Sequence, residues 1–336
     1  MILKLSEVKS NDDRRNIGGN STLLAIKDHY SYMVGTDKKR LKVIEDRKLI
    51  FSGFFAGEQK KLRDMIYVKH SNCYLLWLGD EIFRKDLNDQ NLSFLMGIKS
   101  MALLKVGSCF RSSELHQRVI IAKDKSKISV LNLESKEIDI EAELHFDNFI
   151  RDFQLSGKNE DTVVSLSHDG QVVAKKLDFE NKEVEVLDHL QIELIEEKDE
   201  RGESLTVCDK TQCIFVELLQ NKGRFYLQSR LIILELKETK FAIRHRIEEF
   251  RICMGENLSL EFFGYIGNHG LMIGMSGKEN GVAEVFGYNI ETGEFKELKD
   301  KRLPHLEKNP AKMIRLGDQF YYTGERGKLM KLHVQV

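Results

Sequence analysis

Residues 162–187 read TVVSLSHDGQVVAKKLDFENKEVEVL, and the fold follows from them. Val163, Val164 and Leu166 make a short β run, Asp169-Gly170 is a hairpin turn, and Val172 to Leu177 runs back. Glu180-Asn181-Lys182 turns again, and Val184 to Leu187 makes a third run. With Ile150 to Leu155 placed in front, the unit is a four-stranded antiparallel meander. Copies of such a meander along 336 residues make an all-β fold, a single β-propeller.

The turns recur at a fixed step. Asp37, Asp80, Asp124 and Asp169 each sit between two β runs, 43, 44 and 45 residues apart, within the period of about 40–50 residues of propeller blades. A second marker keeps the same register: Leu62-Arg63-Asp64-Met65 and Ile150-Arg151-Asp152-Phe153 open equivalent strands and lie 88 residues apart, two periods.

Read outward from residues 162–187, the chain divides into strands blade by blade. The first blade uses Leu23 to Ile26, Tyr30 to Gly35, Leu41 to Ile44 and Lys48 to Ser52, and the second Met65 to Lys69, Cys73 to Leu78, Ile82 to Leu87 and Leu92 to Met96. The third uses Ala102 to Val106, Val119 to Ala122, Ile128 to Leu133 and Ile138 to Leu144. Beyond the fourth, the rhythm lengthens. The acidic run Glu193 to Glu203 (ELIEEKDERGE) reads as an insertion near blade five, followed by a long hairpin around Asn221-Lys222-Gly223. Blade six runs from Ser259 to Leu298 and contains the hairpin turn Glu291-Thr292-Gly293. Three strands follow residue 310, so the last blade lacks its fourth. The orphan strand Met1 to Val8 (MILKLSEV) is expected to pair there and close a ring of seven four-stranded blades, which would remove two exposed sheet edges. The whole of residues 1–336 then forms one domain, with 1–8 as its closing strand and 193–203 as its insertion.

Composition limits the function classes. The 52 basic and 53 acidic side chains nearly cancel, so no overall basic field favours a nucleic-acid backbone. No apolar run reaches the length of a signal-peptide core or a membrane span, and the five cysteines are an odd number with no CxxC pair. A cytoplasmic protein with reduced thiols, without membrane insertion, is the expectation.

The period, the turn Ser167-His168-Asp169-Gly170 followed by Val172 to Leu177, and Tyr322 to Leu329 together resemble a degenerate WD40-like β-propeller over essentially the whole chain. No Trp-Asp dipeptide ends a third strand, and the sole tryptophan, Trp77, falls in a second strand. The resemblance implies a rigid, non-enzymatic platform for other proteins: an interaction scaffold or a subunit of a large complex, with no cofactor and no small-molecule substrate. The competing class is a calcium-dependent propeller hydrolase with carboxylates converging in the channel.

Candidate partner-binding residues follow from position and chemistry. Phe54 and Phe55 straddle a blade crossing and make a hot spot if exposed, or wedges between blades if not. Arg63 and Arg151 open innermost strands, either as part of a charged recognition surface or as arginine-aspartate ties between blades. Glu196, Glu197, Asp199 and Glu200 are the carboxylates of the acidic run offered to a partner. Asp37, Asp80, Asp124 and Asp169 read as backbone-capping turn residues or as a cation ring. Histidines lie far apart, with no nucleophile–base pairing, and Gly264 to Gly270 has hairpin rather than phosphate-loop spacing.

Overall fold

A computed structural model describes residues 2–7, 21–28, 31–36, 40–45, 48–54, 62–86, 93–98, 110–113, 115–124, 126–146, 148–208, 213–221, 227–253, 258–266, 269–276, 284–289, 291–297, 314–316, 319–323 and 329–335. The first strand is β1 (Ile2–Glu7). One sheet follows from β2 (Ser21–Asp28), β3 (Ser31–Thr36), β4 (Arg40–Glu45) and β5 (Lys48–Phe54), and a second from β6 (Leu62–Val68), β7 (Cys73–Leu78), β8 (Glu81–Asp86) and β9 (Ser93–Gly97). A third contains β10 (Phe110–Ser113), β11 (Arg118–Ala122), β12 (Lys127–Asn132) and β13 (Ile138–Glu143). The fourth is β14 (Ile150–Ser156), β15 (Thr162–Ser167), β16 (Gln171–Asp178) and β17 (Glu183–Gln191). The fifth is β18 (Arg201–Cys208), β19 (Cys213–Asn221), β20 (Leu227–Lys237) and β21 (Lys240–Cys253). The sixth is β22 (Leu258–Ile266), β23 (His269–Ser276), β24 (Glu284–Asn289) and β25 (Phe295–Glu297). Last come β26 (Ile314–Leu316), β27 (Gln319–Thr323) and β28 (Leu329–Gln335).

All the ladders are antiparallel, and the described strands make seven four-stranded sheets. The last is completed by β1, which pairs with β28 from Ile2 opposite Gln335 to Glu7 opposite Met330. By contacts the chain divides into two compact units: Met1–Ile98 with Glu279–Ala283 and Lys299–Val336, and Lys99–Lys278 with Glu284–Leu298. In the first, β2 packs against β6 on one side and against β26 and β27 on the other. In the second, the first strands succeed one another, β10 against β14, β14 against β18 and β18 against β22.

Burial explains the strand sequences of the second unit. Every residue of β15 is buried, as is every residue of β19 except Asn221, because both faces of these sheets are covered. On one face Val164, Leu166, Val172 and Ala174 meet Ile214, Val216, Leu218, Ile232 and Leu234. On the other, Phe215, Leu231 and Ile233 meet Phe286 and Tyr288. Strands buried on both faces lose the alternation of a half-exposed strand, and runs such as LIILEL replace it.

One irregularity recurs. In the ladder between first and second strand, the register slips by one residue at Leu24 in β2, Arg63 in β6, Arg151 in β14, Glu203 in β18 and Phe263 in β22. A bulge of this kind re-aims the extra side chain out of the regular alternation.

Two sequence expectations shift. The first strand of the third sheet is Phe110–Ser113, not Ala102 to Val106, which lies outside the described residues. The extra length of the fifth sheet resides in its strands: β20 has 11 residues and β21 has 14. The acidic run is instead mostly a short crossing, and its last three residues, 201–203, already belong to β18. The expected long hairpin is present, with β19 and β20 paired up to Asn221 opposite Leu227. Trp77 is buried in a second strand, β7.

Candidate interaction surface at a sheet crossing

Residues 192–200 carry the chain from β17 to β18. Ile192 is buried and donates its N–H to the Gly170 carbonyl, and Leu194 packs on the core between the two sheets. From that footing the chain makes a single 3₁₀ turn, Glu196–Lys198. Asp199 ends it in the left-handed region, at φ 48°, with its N–H donating to the Glu196 carbonyl. Aspartate tolerates this conformation better than most residues.

The turn is held from beneath by Glu200, whose side chain has no exposed surface. Its carboxylate accepts from Arg230 Nε at 2.9 Å and Nη2 at 2.6 Å, from Gln220 Nε2 at 2.6 Å and from the Ile195 N–H at 2.9 Å. Arg230 Nη2 also donates to the Glu193 carbonyl at 2.7 Å, so one guanidinium grips both ends of the crossing. Asn221 Nδ2 donates to Asp199 Oδ2 at 2.9 Å. A planar fork paired with a carboxylate fixes orientation as well as distance, and burial strengthens it.

The acidic run thereby divides by role. Glu200 points inward and is committed to Arg230. Glu193, Glu196, Glu197 and Asp199 are exposed, with Lys198 the one exposed cation among them. Glu248 of β21, 59% exposed, joins them, 3.8 Å from Arg230 Nη1. The result is a rigid acidic knuckle on the fifth sheet. Such a surface can orient a partner carrying positive charge, an effect that falls with ionic strength.

Beside this crossing the two bulged residues meet. Arg151 Nη2 pairs with Glu203 Oε2, both side chains are 1% exposed, and Arg151 Nε donates to the Gly202 carbonyl at 3.1 Å. Asp152 faces elsewhere. It accepts from Arg111 Nη2 at 2.9 Å, from the Leu205 N–H at 3.0 Å and from the Phe153 N–H at 2.8 Å, and so joins three consecutive sheets. Burial pushes the Asp152 carboxyl above its ordinary range, against the opposing pull of Arg111. The Arg111 guanidinium also lies 5.0 Å over the Phe153 ring.

Of the other candidates, Phe54 is the last residue of β5 and Arg63 is the bulged residue of β6, while Phe55 lies outside the described residues. Arg151 is therefore a correction to the surface reading. It ties two sheets, yet its partner is Glu203 and not the adjacent aspartate. Glu200 is a second correction, since its carboxylate is enclosed. Among the turn aspartates, Asp169 accepts from Ser167 Oγ, Asp80 is exposed, Asp124 is half-buried, and Asp37 lies outside the described residues. Among the described residues no three His, Cys, Asp or Glu side chains are grouped to hold a metal, and no helix is long and apolar enough to cross a membrane. Cys73, Cys208 and Cys213 are buried thiols.

Sequence reasoning passed over Arg230, Glu203 and Arg111. A signal for Arg230 existed: an arginine inside LQSRLIILEL, a run too apolar to face water, requires a buried carboxylate.

Seven four-stranded antiparallel sheets match those of solved β-propellers. The Vanderwaltozyma polyspora Nup133 β-propeller domain superposes with a TM-score of 0.65 at 8% identity, over 94% of this chain and 93% of that one. Saccharomyces cerevisiae Sqt1 gives 0.56 at 12%, over 91% and 81%, and the Myceliophteria thermophila Cps50 (Swd1) β-propeller domain 0.52 at 9%, over 83% and 82%. The fold is a β-propeller. No protein-family model and no curated protein matches the sequence. At these identities the likeness extends to the fold alone.

Proposed function

We propose that the chain is a seven-bladed propeller whose ring is closed by β1, and that it serves as a non-catalytic scaffold or structural subunit in the cytoplasm, binding another protein through the knuckle on blade five. One observation carries the reading: the acidic run is split between a buried clasp, Glu200 with Arg230, and an exposed set, Glu196, Glu197 and Asp199. The clasp holds the exposed set in one geometry before any partner arrives, and preorganisation lowers the ordering cost of association. The excess of exposed carboxylates supports a partner with a basic surface.

The test is affinity capture from native extract at low and moderate salt, read by quantitative mass spectrometry. Wild-type protein should retain a partner at near-equal stoichiometry, more strongly at low salt. Replacing Glu196 and Glu197 with serine should release it while leaving the melting temperature unchanged. Undiminished capture by that variant would move the binding surface away from the knuckle.

A further inference from the structure

The junction of Arg151 with Glu203 leaves three buried polar atoms without a hydrogen-bond partner among the described residues: Arg151 Nη1, Glu203 Oε1 and Arg201 Nε. They belong to groups that converge on one carboxylate. Arg151 Nη2 pairs with Glu203 Oε2, and Arg201 Nε lies 3.7 Å from that same oxygen, beyond hydrogen-bonding distance. The Arg151 and Glu203 side chains are enclosed, and Arg201 is 14% exposed. Buried polar groups in native proteins are nearly always satisfied, by protein or by ordered water.

The chemistry of the three atoms selects the ligand. Arg151 Nη1 and Arg201 Nε donate, and Glu203 Oε1 accepts, so the ligand must accept and donate at once. A halide only accepts, and it would face the Glu203 carboxylate. A metal cation offers no acceptor and would face two guanidiniums. Net charge favours neither ion, because the guanidiniums of Arg111, Arg151 and Arg201 are matched by the carboxylates of Asp152, Glu203 and Glu217, the last bonded to Ser204 next in sequence to Glu203.

We propose that the junction of blades four and five holds an internal water, which accepts from Arg151 Nη1 and Arg201 Nε and donates to Glu203 Oε1. Three partners are what buried waters typically have. The water makes the inter-blade ion cluster a hydrated one and completes the hydrogen bonding of both bulged side chains.

A high-resolution crystal structure of the full chain grown in sodium bromide tests this. The expected result is an oxygen-sized peak within hydrogen-bonding distance of Arg151 Nη1 and Glu203 Oε1, without anomalous signal at the bromine edge. An anomalous peak there would make the site an anion site and overturn the proposal. So would the absence of density, with the two side chains satisfied by other protein groups.

Discussion

Replacing Arg151 with methionine keeps most of the side-chain volume and removes the charge. The Glu203 carboxylate, 1% exposed, would then lose its closest counter-ion, and the Gly202 carbonyl its side-chain donor. Two unit charges about 4 Å apart attract by about 4 kcal/mol at an effective dielectric constant of about 20. Removing one partner of a buried pair costs about 3–5 kcal/mol. Arg201, 3.7 Å from the same carboxylate, compensates in part, so the lower end, about 3 kcal/mol, is expected. The complementary change Glu203→Leu should cost a similar amount, whereas the double variant R151M/E203L should fall within about 1 kcal/mol of wild type, because both enclosed charges are gone and Arg201, 14% exposed, still reaches solvent. Urea denaturation followed by circular dichroism, with amide exchange in β14 and β18 to localise the effect, gives the cycle. A coupling of about 2 kcal/mol or more is expected. Single losses below about 1 kcal/mol, or a double variant as weak as the sum of the singles, would refute the pairing.

Deleting residues 1–8 removes the six paired residues that cover the β28 edge and should cost about 3–6 kcal/mol, with aggregation on heating; an unchanged melt would sink the terminal closure. Gly202→Ala should be destabilising by about 1–3 kcal/mol, because a Cβ there would sit 2.2 Å from the Ser167 carbonyl oxygen, whereas Gly97→Ala, with nothing within 4 Å, should stay within about 0.5 kcal/mol of wild type in the same melts. Equal effects of the two changes would contradict the close approach of β18 to β15. For Asp188, burial raises the carboxyl, but the Phe241 N–H at 2.7 Å and Lys240 outweigh it and hold it below the usual 3.8. A depressed carboxyl contributes stability above its unfolded value and loses it as pH falls through the folded one. Phe241 amide protection should therefore drop as pH is lowered below the usual carboxylate value of 3.8 in wild type and lose that step in Asp188→Asn; a step unchanged by the substitution would assign it to another group.

Legibility in the sequence followed the range of the interactions. Asp169-Gly170, Glu291-Thr292-Gly293 and the regular aspartate step are local turn chemistry, and the hairpins they specify are present. The pairing of β1 with β28 was readable because an unpaired run at one end matched a three-stranded remainder at the other. The first strand of the third sheet was not, because FRSS holds one apolar residue, and its Phe110 and Ser113 are buried through neighbours distant in sequence. Charged residues proved hardest. Arg151 looks like half of an adjacent Arg-Asp pair until a one-residue slip turns it towards Glu203, 52 positions away. Glu200 looks like one more surface carboxylate until Arg230 encloses it. Nothing beside Arg151 or Glu200 marks either event, and only the arginine within the apolar run of β20 signals that some carboxylate must be enclosed.

The slip in the first strands has a consequence for the order of the repeats. Five of the described sheets offer such a slot out of alternation, and the consecutive fourth and fifth fill theirs with arginine at 151 and glutamate at 203. These two blades are complementary rather than equivalent. Exchanging blade four for a copy of blade five would set two glutamates against each other in an enclosed seam, and the reverse exchange two arginines. Blades four and five can be counted as copies, but they cannot be exchanged: the charges at their slips address one to the other.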